Sequence, residues 1–155
     1  MAPSVNRVAL GQGVFYLVTG VWPLVGIRSF EAITGPKTDR WLVKTAGVLI
    51  AAVGAGLTLA GARGRVTPEL ATVAIGSAAG LTAIDLVYVG NRRISPVYLL
   101  DAVAEVGLIA AWGVAHAASV SAVPSGTRRD SAGRRRGTVP FQLSAGAFAR
   151  SLVRR

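Results

Sequence analysis

A chain of 155 residues that is 52% hydrophobic and 15% charged falls well short of the ~25% charged residues of an ordinary soluble domain. It has no cysteine, which excludes disulfides, thiolate metal sites and thiol catalysis, and its single histidine, His116, rules out a multi-histidine metal centre. The net charge is +10, but eight of the 17 basic residues fall in the last 28 positions, so the excess belongs mostly to one end.

Four apolar runs follow one another over the first 120 residues, at 8–27, 41–62, 70–89 and 97–119. Each holds about 20 residues or more, which as a helix reaches ~30 Å, the hydrocarbon thickness of a bilayer. The first carries Gln12, Tyr16 and Thr19, then Pro23, which favours a kink. Its apolar core exceeds that of a secretory signal, and no small-residue cleavage site stands out after it, so it reads as a retained helix. The link 28–40 contains Gly35-Pro36, which breaks any helix, while Arg28, Phe30, Glu31 and Ile33 suit a short interfacial stretch. Thr38 or Asp39 can cap the second span.

In the second span Gly47, Ala51 and Ala55 recur every four residues, as do Ala52, Gly56 and Ala60, and the third span has Gly76 and Gly80. Such spacing lets helix backbones approach closely, and packing within the bundle is favoured over a dimerisation face. A tight link at 90–96 makes the last two spans an antiparallel hairpin, with Pro96 suited to a first helical turn. Residues 121–155 turn to Ser, Gly, Pro and Arg and read as a disordered basic tail, able to touch anionic lipid. The arginine run lacks the interleaved aromatics or folded reader that nucleic-acid binding would need. The expected fold is therefore all-α, a four-transmembrane-helix antiparallel bundle over 1–120 with a disordered tail.

Three acids interrupt the apolar runs: Asp85, Asp101 and Glu105. Charge at bilayer depth is costly and turns toward partners or a water-filled cavity. Asp85 and Asp101 flank the hairpin link at similar depth, and Glu105 lies one turn beyond Asp101 on the same face. Tyr88 and Tyr98 stand at their level. The link between the first two spans opens on the same side and brings basic residues. The sequence thus predicts a polar cluster of Asp85, Asp101 and Glu105 with Lys44, Arg28 and Arg92 or Arg93, and Tyr16 as its floor. A purely structural ion-pair network weighs almost as heavily as a functional pocket.

The stretches Arg28-Ser-Phe-Glu31, Thr34 to Gly47 and Ile94-Ser-Pro-Val-Tyr-Leu-Leu-Asp101 with Glu105 resemble a group of uncharacterised small bacterial four-helix membrane proteins. The layout, four helices with a Gly-containing first span followed by an Arg, more loosely resembles the DoxX-like proteins. These resemblances imply a bundle in the bacterial inner membrane with an accessory role in membrane redox or stress processes, and they supply no catalytic residue.

The functional expectation is a small integral membrane protein, not demonstrably an enzyme, whose acid–base cluster binds a small polar or lipid-headgroup ligand or organises the fold. One alternative is a membrane-embedded enzyme or proton-coupled carrier using Glu105 and Asp101. Another is a helical subunit of a larger membrane complex or homo-oligomer. No catalytic residue, metal or cofactor is assigned, and no nucleic-acid partner is expected. Counting basic residues near the helix ends gives eight against six in favour of cytoplasmic termini in the inner membrane.

Overall fold

A computed structural model describes residues 4–121, which form five helices and no strand. In chain order these are α1 (Val5–Val25), α2 (Ile27–Thr34), α3 (Arg40–Ala62), α4 (Pro68–Gly90) and α5 (Tyr98–Ser121). All but α2 are long and apolar enough to cross a membrane, and the chain is a multi-pass membrane protein. The basic tail expected over 121–155 lies outside the described residues apart from Ser121, which closes α5.

Local chemistry sets the helix ends. The Ser4 hydroxyl caps α1 by accepting from the Arg7 amide. Thr67 does the same for α4 through the Leu70 amide, with Pro68 in the first turn, where its missing N–H costs nothing. Asp39 occupies the cap position of α3 without making a side-chain hydrogen bond. Near the end of α1, Pro23 withholds one backbone donor. The chain turns at Gly26, and α2 folds back so that the Trp22 and Phe30 rings meet edge to face with centroids 5.5 Å apart. The Trp22 indole donates to Ser29 Oγ at 3.0 Å, and that hydroxyl donates to the Gly26 carbonyl at 2.8 Å. Gly35, at φ 87°, ends α2 in a conformation that suits glycine.

The tightest packing joins α1 to α3, and it is built on glycine. Gly13 and Gly20 on one helix face Gly47, Gly54 and Gly61 on the other, with members seven residues apart along each chain. A Cβ on Gly54 would lie 2.7 Å from the Leu17 amide nitrogen and 2.8 Å from the Gly13 carbonyl oxygen. On Gly20 it would come within 2.6 Å of the Ala51 nitrogen, and on Gly61 within 2.7 Å of both Asn6 oxygen and Leu10 nitrogen. These helices therefore touch backbone to backbone.

The four-residue small-residue pattern is corrected by this finding. Gly47 and Ala51 belong to the contact, but Ala52, Ala55 and Gly56 are exposed, and Gly56, Gly76 and Gly80 have open space where a Cβ would stand. The reason is geometric: a seven-residue period is the repeat of a left-handed pair, which returns to the partner every second turn.

The hairpin of α4 and α5 packs beside this pair. Val8, Ala9, Tyr16, Leu57, Ala74, Trp112 and Ala115 form the buried core between them. Around it the outward faces stay apolar, as at Val18, Leu49, Leu100 and Val103, each more than 60% exposed within the single chain. In a membrane protein those faces meet lipid. Changing Gly54 to alanine should lower the denaturation midpoint by the equivalent of about 1–3 kcal/mol, the range for overpacking a tight contact. Gly56→Ala should leave it unchanged or slightly raised, because alanine is the better helix former. Thermal unfolding in mild detergent reads both.

Candidate functional site

Asp85, Asp101 and Glu105 line a single cavity of about 570 Å³. One wall is the α1–α3 pair with the folded-back α2, and the other is the α4–α5 hairpin. Helical register explains the convergence. Ala74, Ala78 and Asp85 recur along the inward face of α4, and Asp101, Glu105, Leu108 and Trp112 along that of α5.

Glu105 is fully buried and accepts a hydrogen bond from the Tyr16 hydroxyl at 2.9 Å. Gly54 is what lets Tyr16 reach it, since a Cβ there would stand 2.9 Å from the Tyr16 Cβ. The second Glu105 oxygen, Oε1, is buried without a partner, and so is Asp85 Oδ2, in a residue only 5% exposed. Asp101 is half-buried on the same lining. The rest of the lining is mainly apolar and aromatic, with Trp22, Pro23, Phe30, Ile33, Val43, Ile50, Leu81 and Ile84.

One cation lines the cavity, and it is Lys37. Its ammonium donates to the Thr34 carbonyl at 3.1 Å and lies 4.9 Å from the centroid of the Tyr98 ring. It makes no ion pair with the three acids, for the salt bridge found among the described residues is Arg40–Glu31. Arg40 grips Glu31 with two bonds, at 2.9 and 2.7 Å, and the Lys37 amide donates to the same carboxylate at 3.3 Å. Glu31 thus fastens the link that carries Lys37 to the cavity.

The structure separates the other expected residues from the acids. Lys44 and Arg28 are exposed and do not line the cavity. Leu42, Val43, Ala46 and Gly47 present the cavity face of α3, and Lys44 follows Val43 by one residue, which turns it by ~100°. On α2 the lining residues are Phe30, Ile33 and Thr34, not Arg28. Arg92 and Arg93 are exposed in the hairpin link, and Tyr88 is 47% exposed. Tyr16 and Tyr98 do line the cavity.

A second polar element lies deeper in the bundle. Gln12, fully buried, donates through Nε2 to the Ala74 carbonyl at 2.9 Å and accepts from the Trp112 indole at 2.7 Å. One amide thereby ties α1 to both helices of the hairpin, one turn from Tyr16. The residues that sequence reasoning missed are Lys37, Gln12 with Trp112, and the Trp22–Phe30 elbow. Gln12 was visible as a polar group within a span, but nothing in the sequence names its partners.

Compared with known proteins, no family model matches the chain, and no curated protein or solved structure matches it.

Two outcomes follow from this geometry. Gln12→Leu removes both bonds and leaves the Trp112 indole unpaired, so the unfolding free energy should fall by about 1–3 kcal/mol, read by denaturant titration in micelles. The Arg40 hydrogen bond, the Lys37 amide and both nearby cations hold the Glu31 carboxyl below its usual range. A depressed carboxyl contributes its stabilisation above the ordinary value, ~4.3, and loses it as pH falls through the depressed one. The protection factors of the amides of Gly35 and Lys37–Arg40, measured against the unstructured-peptide rate at each pH, should therefore fall as the pH is taken below ~4, and Glu31→Gln should show low protection already at neutral pH.

Proposed function

We propose that this membrane protein binds an amphiphilic ligand in the carboxyl-floored cavity. The ligand's polar head meets Asp85, Asp101 and Glu105, and its apolar remainder lies against the α1–α3 wall. What carries this reading is the pair of buried, unpartnered carboxyl oxygens on the floor of an otherwise apolar cavity of about 570 Å³. Ligand sites commonly combine apolar walls of this volume with a few convergent polar groups. A network serving only to fix helix register would be expected to satisfy its members, because an unpaired polar atom in a low-dielectric interior is destabilising. The same acids line space large enough for a small molecule and form no salt bridge among the described residues.

We place the protein in the bacterial inner membrane with its termini in the cytoplasm, on the balance of basic residues near the helix ends. The resemblance to DoxX-like proteins adds the expectation of an accessory rather than a catalytic role.

A test uses the full chain in phosphatidylcholine nanodiscs, titrated calorimetrically with octylamine, octanol, octanoate and octyltrimethylammonium. At least one of these should bind saturably with one site per chain. Ala46→Trp, which pushes an indole into the cavity from α3, should abolish that binding while the protein keeps its helical circular dichroism. No saturable binding by any of the four, or binding unaffected by the indole, would overturn the assignment.

A further inference from the structure

Carboxylates accept hydrogen bonds and donate none, so the floor of the cavity defines the kind of head group it can satisfy. Glu105 uses Oε2 for the Tyr16 hydroxyl, and its Oε1 remains free. Asp85 Oδ2 is likewise buried and accepts from no donor among the described residues, while the Asp85 and Asp101 carboxyls lie against each other with no cation between them. The cation that lines the cavity, Lys37, is engaged by the Thr34 carbonyl and the Tyr98 ring. Among the described residues no arginine or lysine forms a salt bridge with any of the three acids.

A hydroxyl head offers one donor, too few for two separate oxygens. A carboxylate or phosphate head offers none and brings like charge. A quaternary ammonium brings the right charge but no N–H. A primary ammonium brings the right charge and three donors, enough for both free oxygens and a third bond toward Asp101. In an interior screened less than water, that charge match counts for more than it would at a surface.

There is also a place for the tail. A second, apolar space of about 280 Å³ shares Tyr16, Ile50, Leu81 and Ile84 with the first. It extends along Leu49 and Val53 of α3, toward the outward face of the bundle. A chain leaving the carboxyl floor past Tyr16 runs into this groove between α3 and α4.

Resting on the ligand-binding reading above, we infer that the site is selective for a primary ammonium carried on an apolar body. The ammonium caps Asp85 Oδ2 and Glu105 Oε1, and the apolar part lies in the α3–α4 groove. The group is supplied either by a lipophilic amine dissolved in the membrane or by the head of an aminophospholipid, and the two share this chemistry.

The same four octyl probes test the selectivity in phosphatidylcholine nanodiscs. Octylamine should bind about tenfold or more tightly than octanol and octyltrimethylammonium, with octanoate weakest; a tenfold ratio corresponds to ~1.4 kcal/mol. The double variant Asp85→Asn, Glu105→Gln should lose that preference yet still bind octanol, and Lys44→Gln, outside the cavity, should bind octylamine as the natural chain does. Doping the discs with phosphatidylethanolamine separates the sources. Weakened octylamine binding identifies the lipid head as an occupant, and unchanged binding identifies the free amine. If octanol or octyltrimethylammonium matches octylamine, the ammonium selectivity fails while the binding reading stands. If none of the four binds, both fall. Should the double variant not fold, the ranking on the natural chain still decides.

Discussion

Direct backbone contact between α1 and α3 is the constraint on which the rest of this structure depends. Because Gly54 stands where any side chain would strike Leu17 nitrogen and Gly13 oxygen, the two helices behave as one thick plate. That plate sets the position of Tyr16, whose hydroxyl is the partner of a carboxyl at the heart of the bundle. In lipid there is no hydrophobic drive to bring helices together, so close van der Waals approach and interhelical hydrogen bonds must do it. Glycine at every second turn supplies the first, and Gln12 supplies the second toward the hairpin.

The two polar elements divide the bundle between them. At Gln12, donor and acceptor are both engaged, and α1, α4 and α5 are drawn together around Trp112. One turn on, at Tyr16, engagement is partial, and beyond it the carboxyls of Asp85 and Asp101 line the cavity without a cation to pair with. The helices are thus fastened at one level and separated at the next. The elbow at Pro23 and Gly26 roofs that separation by laying Phe30, Ile33 and Thr34 over it, and the Glu31–Arg40 clasp keeps the link 35–40 in place.

Much of this was legible in the chain itself. Four long apolar runs gave the helices, because length and composition alone determine what can cross a bilayer. Asp85, Asp101 and Glu105 were recognisable because charge in such a run is exceptional, and the short link between α4 and α5 put two of them at one depth. The countercharges were not legible. Lys44 and Arg28 were expected from topology, which gives the side of the membrane but not the rotation of a helix about its axis. That rotation is dictated by the glycines of α3, and it turns Lys44 outward. Lys37 was hidden for a related reason: it reaches the cavity only because α2 doubles back, a fold that depends on a Trp–Phe contact and one positive φ at Gly35. The seven-residue glycine period was present in the sequence but lay beneath a denser four-residue pattern of alanines.

The groove between α3 and α4 opens through a flank where these helices barely meet, near the middle of both, a depth that in a bilayer is surrounded by acyl chains rather than by water. A solute arriving by that route is presented at its concentration in the bilayer, which for an apolar molecule far exceeds its concentration in the surrounding fluid. For a ligand of the kind proposed, weak intrinsic affinity would then suffice for high occupancy, with hydrophobicity governing delivery and the head group governing retention.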